Sequence, residues 1–278
     1  AVNPNDGSSD ANVDRASGDT RIDENGNIVS IANDVPNISY PYGGKSEGCP
    51  FIWSQGQATN QCLESLDVNG ASGDSRFIIT DFSSGGFGDL PYQNLEQVST
   101  GPIFRDIDPT SNTLTSVRFY IRNIVNQKRF NLRDQTNYAN GEIEITIDPS
   151  FAVTVNTSTN ASYSVTNTND NGWYEVEMKI QNGIGNRVIF YYSFSGDIGD
   201  ECDFCQLDFQ EDHNIGSPII TNGSIATRLA QEITTPVPAG TTQIVECFTD
   251  GTTNVITTIP ATYTMSNDNN KIEKVIFE

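Results

Sequence analysis

The sequence predicts an all-β protein built as a β-sandwich or jelly roll. Three observations support this: short runs alternate apolar and polar residues, turn-forming Gly, Asn, Asp and Ser separate the runs, and no stretch has the sustained periodicity of an amphipathic helix. Many short strands at this spacing are typical of two stacked antiparallel sheets.

Seven segments have the clearest strand pattern. In the fourth of them, Ile143, Ile145 and Ile147 share one face while polar side chains occupy the other, which is the alternation of a half-buried strand. The predicted strands are Arg76–Asp81, Thr115–Ile124, Lys128–Leu132, Glu142–Asp148, Trp173–Ile180, Arg187–Phe194 and Asp203–Phe209.

Composition divides the chain into four regions. Residues 1–20 are rich in Asn, Asp, Ser and Gly, so we expect an extended polar leader that orders on assembly with a partner. Residues 21–231 are the predicted sandwich, and residues 232–242, EITTPVPAGTT, are a predicted linker. Residues 243–278 are a predicted small β subdomain, in which Asp250-Gly251 indicates a hairpin.

The charge of the chain excludes some classes of partner. Among 278 residues there are 36 Asp and Glu against 15 Lys and Arg, which gives a net charge of −21. Binding to nucleic-acid phosphates needs clustered cations, so we expect no nucleic-acid partner. Because no run of about 18 apolar residues is present, we expect no membrane insertion.

Several short motifs follow one another along the chain. On the N-terminal side they are Arg15-Ala-Ser-Gly-Asp-Thr-Arg21, Asp23-Glu-Asn-Gly26-Asn-Ile28, Asn33-Asp-Val-Pro36, Tyr40, Gly48-Cys-Pro50 and Gln57-Ala-Thr59-Asn60. Further on they are Gly172-Trp-Tyr174, Gln206-Leu207-Asp208, Ser217-Pro218 and Ala226-Thr227-Arg228. In order and spacing this series resembles phage tail- and head-fibre proteins, although Asn37 and Asp208 stand where that family usually has Arg and Glu.

The resemblance implies a concanavalin A-like jelly roll, similar to a carbohydrate-binding module, and the role of a virion structural protein. A head or tail fibre or decoration protein would be assembled in the cytoplasm of the bacterial host and would form a homotrimer. Its partners would be capsid or tail proteins and host-surface glycans. It would bind such glycans without turning them over, so the resemblance implies no enzyme activity.

Aromatic residues in Gly-, Asn- and Gln-rich surroundings are the candidates for glycan binding. A sugar packs its C–H face on an aromatic ring while fixed polar groups bind its hydroxyls. Trp173 and Tyr174 are instead expected to pack within the fold. The candidates are Trp53, Phe87, Tyr92 and Tyr138.

Two alternative functions remain open. Glu142 and Glu144 lie two residues apart on one strand, and a retaining glycosidase needs two carboxyl groups about 5 Å apart, so a polysaccharide hydrolase or lyase is the first alternative. Asp148 falls one residue late for that face, which weakens the comparison with laminarinase-like hydrolases. The second alternative is a capsid decoration protein without any ligand.

Few residues are candidates for metal binding or for thiol chemistry. Cys202 and Cys205 form a C-x-x-C motif, but in a strand these positions face opposite sides, and His213 is the only histidine, so we expect ordinary thiols. No cofactor is expected, and a structural calcium ion is the one alternative left open. Its weak candidate ligands lie in oxygen-rich loops: Asp106, Asp108, Asp197 and Asp200.

Overall fold

The computed structural model describes residues 12–62, 65–69, 71, 74–107, 114–183, 186–193, 198–211, 218–222, 225–266 and 271–278. Within these residues the secondary structure is β except for three short 3-10 helices, Gly44–Ser46, Asp74–Arg76 and Phe87–Asp89. The all-β prediction is confirmed. None of the described helices has the length and apolar character needed to cross a bilayer.

The strands pair antiparallel throughout the described sheets. In chain order they are β1 (Asn12–Asp14), β2 (Asp19–Ile22), β3 (Ile28–Ile31), β4 (Ile38–Ser39), β5 (Phe51–Trp53), β6 (Ala58–Asn60), β7 (Phe77–Phe82), β8 (Tyr92–Gln97), β9 (Ile103–Ile107), β10 (Leu114–Val125), β11 (Lys128–Asp134) and β12 (Glu142–Ile147). They continue as β13 (Val153–Thr159), β14 (Ala161–Asn167), β15 (Tyr174–Gln181), β16 (Val188–Ser193), β17 (Glu201–Glu211), β18 (Ala226–Arg228), β19 (Glu232–Pro236), β20 (Ile244–Phe248), β21 (Thr253–Ile256), β22 (Thr262–Thr264) and β23 (Lys271–Phe277).

The seven strands predicted from alternation are all present, with ends shifted by a few residues. For example, the isoleucine strand is β12, and its three isoleucines are fully buried. The hairpin predicted at Asp250-Gly251 joins β20 to β21, and Gly251 adopts a positive φ of 83°, which glycine tolerates without strain. Local pattern therefore identifies these elements correctly.

The chain divides into two compact units. Unit 1 comprises Ala1–Ala58, Gly216–Ile219 and Thr227–Glu278, and unit 2 comprises Thr59–Ile215 and Ile220–Ala226. The predicted boundaries at residues 21 and 231 do not coincide with this division. The reason is long-range pairing, since β5 pairs with β23 and β1 pairs with β19.

Unit 2 consists of two sheets around one core. One sheet has the order β14-β15-β10-β17-β8-β7 and the other β13-β12-β11-β16-β9. The phenylalanine at the centre, Phe119 on β10, has ring centroids 4.6 Å from Phe130 on β11 and 5.1 Å from Phe190 on β16. Because the inward side chains of both sheets interdigitate there, this core fixes which side chains face outward.

Unit 1 contains a five-stranded sheet, β21-β20-β23-β5-β4, a three-stranded sheet, β1-β19-β22, and the hairpin β2-β3. Ile233, Ile244, Tyr263, Met265 and Ile272 form its apolar cluster. The smaller sheets complete this cluster, because a single short sheet of this size buries too little apolar area to be stable alone.

Parts of the predicted leader and linker pair with each other as strands in unit 1. Asn12–Asp14 is β1, and Val13 pairs with Ile233 of β19, which occupies much of the predicted linker 232–242. Residues 1–11 lie outside the described residues. The Pro-Gly composition of the linker thus marks the end of a strand at Pro236, since proline lacks the N–H that a further ladder bond would need.

Several residues of the fibre-like motifs are buried structural partners. The Arg15 guanidinium is buried and donates to Asp19 at 3.1 Å, to Gln231 at 2.9 Å and to the carbonyl of Ala32 at 2.9 Å. In unit 2, Asp208 is buried and pairs with Arg118 at 2.5 Å. A buried charge is stable only when it is paired and hydrogen-bonded, so these motifs serve the fold.

Candidate functional site

The outer face of the five-stranded sheet in unit 2 concentrates polar and aromatic side chains. Phe130 and Leu132 of β11 point into the core, so Arg129, Asn131 and Arg133 point outward. Across the neighbouring strands their partners also point outward, and the pairs are Arg129–Thr146, Asn131–Glu144, Arg133–Glu142, Asn131–Tyr191 and Arg133–Ile189.

Six residues of this face form what we call the Arg133 cluster: Phe104, Asn131, Arg133, Tyr138, Glu142 and Tyr191. The Arg133 guanidinium carbon lies 4.6 Å from the ring centroid of Tyr191 and 4.9 Å from that of Tyr138. Arg133 also donates from Nη2 to the Tyr191 hydroxyl at 2.5 Å. One guanidinium thus holds two rings by cation–π contact and a hydrogen bond.

Tyr191 is the buried base of the cluster. Its ring centroid is 5.3 Å from that of Phe104 on the adjacent strand β9. Burial raises the pKa of the Tyr191 hydroxyl above its ordinary value, although the nearby Arg133 acts in the opposite direction. The hydroxyl therefore stays neutral at ordinary pH and can both donate and accept a hydrogen bond.

Tyr138 is the exposed ring of the cluster, with 47% of its surface accessible. It lies in the loop between β11 and β12, which is organised by the buried carboxylate of Asp134. That carboxylate accepts hydrogen bonds from the backbone N–H groups of Thr136 at 3.0 Å and Asn137 at 2.9 Å. Asn140 donates to it as well, at 2.8 Å. The loop is thus fixed where it presents the ring.

Glu142 and Glu144 lie on one face of β12, as predicted. Glu142 accepts a hydrogen bond from Asn131 at 3.1 Å and lies 4.0 Å from Arg133. Glu144 accepts one from Asn156 at 2.9 Å. Asp148 lies in the turn after the strand, where it accepts the backbone N–H of Ser150. The two glutamates are therefore fixed acceptors with remaining lone pairs.

Two buried polar atoms on this face have no hydrogen-bond partner among the described residues. They are the side-chain oxygen Oδ1 of Asn131 and the Nε of Arg129. Asn131 is fully buried, so its unpaired acceptor costs free energy unless a donor reaches it.

Three of the four predicted glycan-binding aromatics lie elsewhere, and two of them are buried while the third is half-buried. Phe87 is 0% exposed and stacks on Tyr120 with centroids 3.9 Å apart, so its predicted exposure is wrong. Tyr92 is half-buried, with Phe82 stacked at 4.5 Å and the Arg122 guanidinium 4.8 Å from its centroid. These contacts occupy part of the ring surface that a sugar would need.

The third candidate outside the cluster, Trp53, is 2% exposed, so it is buried as well. It belongs to unit 1, on β5. The residues expected to pack within the fold do so: Trp173 is fully buried, and Tyr174 stacks on Phe151 at 3.6 Å. Burial depends on contacts with distant parts of the chain, which local composition does not reveal.

The calcium candidates do not come together among the described residues. Asp106 on β9 is engaged by Arg187, whose Nε donates to it at 2.7 Å, and Asp200 is buried. Asp108 and Asp197 lie outside the described residues. Within the described ranges, no group of three or more His, Cys, Asp or Glu side chains is arranged to hold a metal ion.

Cys202 and Cys205 face opposite sides of the sheet, as predicted. Cys202 pairs with Leu95 on the core side, and Cys205 pairs with Tyr120 on the outer side. Burial raises the pKa of Cys202 to about 11 and that of Cys205 to about 12. These thiols are therefore unreactive at neutral pH. His213 lies outside the described residues.

Sequence reasoning missed Arg133, Tyr191 and Phe104 as members of the site. Alternation alone placed one ring of the Tyr191-Tyr192 pair on each face, but it could not say which ring faces outward. The pairing of β16 with both β11 and β9 brings the three residues together. This pairing joins segments far apart in the chain.

Comparison with known proteins gives no relative that would identify the site. No family model matches this chain, and no curated protein matches it.

Proposed function

We propose that unit 2 is a glycan-binding, concanavalin A-like jelly-roll domain, and that the chain is a bacteriophage fibre or decoration protein of the virion. The observation that carries the binding proposal is the Arg133 cluster, in which an exposed ring stands beside fixed acceptors and donors. In this proposal the protein binds glycans on the host surface and does not cleave them.

The chemistry of the cluster suits a sugar. The exposed face of Tyr138 offers a surface for the C–H groups of a pyranose ring. Glu142 accepts hydrogen bonds from hydroxyl groups, and Arg133 donates to them. Because these polar groups are already held by their neighbours, little side-chain entropy is lost when the ligand binds.

The path of the chain supports the jelly-roll proposal. From β8 to β11 the chain alternates between the two sheets, and it crosses again between β13 and β14, between β15 and β16, and between β16 and β17. Such repeated crossing between two antiparallel sheets is typical of Greek-key sandwiches and jelly rolls.

The proposed role in the virion is supported by the fibre-like motif series. Fibre proteins as a class are homotrimers, so the proposal includes a trimer whose partners are capsid or tail proteins. Repeated copies of one weak glycan site convert low affinity into avidity. The net charge of −21 is compatible with this role, because recognition of an uncharged glycan needs no cationic surface.

A glycoside hydrolase is the second candidate, because Glu142 and Glu144 share the binding face. Binding is favoured over cleavage by the partners of the two carboxylates. Both accept amide N–H groups, and Glu142 also lies beside Arg133, so neither is placed as a proton donor to a leaving group. The substitutions Glu142→Gln and Glu144→Gln separate the two functions, because they would abolish cleavage.

The experiment that tests the proposal is a glycan array probed with the intact protein, followed by mass spectrometry of each bound glycan after incubation and of the intact oligomer. The account expects selective binding, unchanged glycan masses and a trimer. Shortened glycans that depend on Glu142 and Glu144 would establish the hydrolase instead. A trimer that binds no glycan would favour a decoration protein without ligand.

A further inference from the structure

The two sheets of unit 2 leave one margin of the sandwich open. Strand β13 ends one sheet and β14 ends the other, and the single residue Asn160 joins them, so both edges lie at the same margin. Neither strand has a neighbour on its outer side among the described residues. We call the surface formed by these two strands the β13–β14 margin. It presents backbone N–H and C=O groups with which another strand could pair.

Apolar side chains at this margin are exposed although they point to the core side of their sheets. Val155 pairs with Ile145 and Tyr163 pairs with Met178, and both partners are fully buried. Residues directly opposite each other on paired strands share a face, so Val155 and Tyr163 face the interior of the sandwich. They are nevertheless 41% and 40% exposed. The core therefore reaches the surface here as an apolar seam.

The opposite margin of the sandwich is covered. Its edge strands are β7 and β9, and Val68 and Ala71 of the preceding segment are buried in the same core. Arg105 on β9 donates to the carbonyl of Asp67 at 2.8 Å, which holds this segment against the sheet. Covering an edge with a loop is one of the ways in which proteins protect it. Within the part of the chain that the structure describes, no segment covers the β13–β14 margin in this way.

The β13–β14 margin also lacks the residues that usually protect an exposed edge. Residues 149–169, which include both strands, contain no Asp, Glu, Lys or Arg, and neither strand contains proline. Strand β14 pairs with β15 in an uninterrupted register, so its outer edge is regular. An uncharged, regular and partly apolar edge is suited to binding another chain.

Charge favours a second copy of this chain as the partner. With a net charge of −21, two copies repel each other over acidic surface, but two uncharged margins can approach without like charges facing each other. A cationic partner would be drawn to acidic surface elsewhere on the chain. We propose that copies of this chain bind one another through the β13–β14 margin, with Val155 and Tyr163 buried at the contact.

This contact goes beyond the proposed function and can be tested apart from it. A soluble glycan titrates each copy separately, so a variant that no longer associates should still bind a glycan selected on the array. The contact requires an oligomer but not a particular number of copies. A dimer would contradict the trimer proposed above and would leave the β13–β14 contact intact.

Sedimentation velocity of the full chain is the first test. The proposal expects association at concentrations up to about 100 μM, where a contact with a Kd of about 1 μM would be nearly saturated. A chain that remains monomeric over this range would overturn the proposal.

Val155→Glu and Tyr163→Glu each place a carboxylate in the contact, where it meets the apolar seam of the other copy. Each should raise the concentration of half-dissociation about tenfold or more. Val255→Glu is the matched control, because Val255 is 51% exposed and lies on β21, an edge strand of unit 1, and it should associate as the unmodified chain does. Equal association of the three variants would refute the proposal, as would dissociation by Val255→Glu alone. Circular dichroism would check that all three are folded.

Hydrogen exchange gives a second readout that needs no substitution. Amides of β14 should exchange severalfold more slowly in the oligomer than after dilution to monomer, because the contact covers the outer edge of the strand. Amides of β7, at the covered margin, should exchange at the same rate in both states. Unchanged exchange in β14 would contradict the proposal even if the copies associate, since the contact would then lie elsewhere.

Discussion

A single guanidinium organises the candidate glycan site. Arg133 contacts the rings of Tyr138 and Tyr191 and also donates to Gln135 at 2.8 Å. These contacts use the plane of the group for the rings and its edge for hydrogen bonds. Lysine has the same charge but no planar fork, so it cannot replace these contacts together.

We therefore expect Arg133→Lys to weaken glycan binding about tenfold, with a small change in stability. Isothermal titration with a glycan selected on the array measures the affinity, and thermal unfolding measures the stability. Arg187→Lys is the control, because Arg187 lies at the same sheet but pairs with exposed Asp106. If both variants bound equally well, the guanidinium of Arg133 would have no special role.

The ionisation of Asp134 makes the stability of the binding loop depend on pH. Burial by itself raises the pKa of this carboxyl, but the hydrogen bonds from Asn186, Gly183 and Asn140 outweigh it, so the pKa lies below the ordinary value of 3.8. A carboxyl with a depressed folded-state pKa contributes stability above its unfolded-state pKa. This contribution is lost as the pH falls from that value through the folded-state pKa.

The substitution Asp134→Asn should remove this contribution and about 1–3 kcal/mol of the free energy of unfolding at neutral pH, because it leaves buried donors without a charged acceptor. Urea unfolding between neutral pH and pH 3 should show the two proteins converge in stability as the pH falls. Asp148→Asn, in an exposed turn, is the control with a smaller loss. A constant difference down to pH 3 would contradict the assignment.

Part of the candidate site could be predicted from local sequence. Tyr138, Glu142 and Glu144 were found from their own neighbours in sequence, since a polar loop and an alternating strand are local features. Phe87 was misjudged because Tyr120, which covers it, is distant in the chain. Asn131 gave no signal, because an unpaired buried acceptor exists only in the folded structure.

At the scale of elements, alternation predicts strands but not their partners. Strand β12 was recognised from its three isoleucines, yet nothing in its sequence specifies β11 and β13 as neighbours. The same holds in unit 1, where β5 pairs with β23 near the other end of the chain. Composition therefore does not indicate which distant segments form one sheet.

The Arg15 side chain connects distant segments of unit 1 by hydrogen bonds. It follows β1 directly and donates to Asp19, Gln231 and three backbone carbonyls from a buried position. Its pKa is lowered by burial, against the attraction of Asp19 and Asp34. The guanidinium remains charged after this lowering of its pKa. Its burial is therefore tolerated only because these groups accept its hydrogen bonds.

We expect Arg15→Ala to destabilise unit 1 by about 3–5 kcal/mol, because it leaves Asp19 buried without its cation. Urea unfolding of the chain labelled with 5-fluorotryptophan measures this destabilisation. The native ¹⁹F resonance of Trp53 should be lost at a lower urea concentration than in the chain without the substitution. Lys45→Ala removes an exposed pair with Glu24 and should cost less than about 1 kcal/mol. Equal losses would show that the Arg15 network contributes little.

At the scale of the molecule, the dominant feature is the excess of acidic residues, 36 against 15 basic ones. The outer face of the five-stranded sheet differs, because Arg129, Arg133 and Arg187 balance Asp106, Glu142 and Glu144. The remaining acidic surface repels itself at low ionic strength. The net charge follows from composition. The equal number of basic and acidic residues on this face can be seen only in the folded structure.

The melting temperature should therefore rise by a few degrees when the salt concentration increases from about 0.01 M to about 0.15 M, over which the Debye length falls from about 30 Å to about 8 Å. Differential scanning calorimetry measures it. Sodium and potassium chloride should act alike, because screening depends on ionic strength. A melting temperature that fell with salt would mean that attractive ion pairs dominate the surface.

The claim on which the account depends is that the outer face of the five-stranded sheet binds a sugar. Its most direct test is a titration of one array-selected glycan against the unmodified chain, Tyr138→Ala and Tyr163→Ala. Both tyrosines are exposed to a similar extent, 47% and 40%, but Tyr163 lies on β14 of the other sheet. The account predicts a loss of affinity of about tenfold or more for Tyr138→Ala alone. Equal affinity of all three proteins would contradict it.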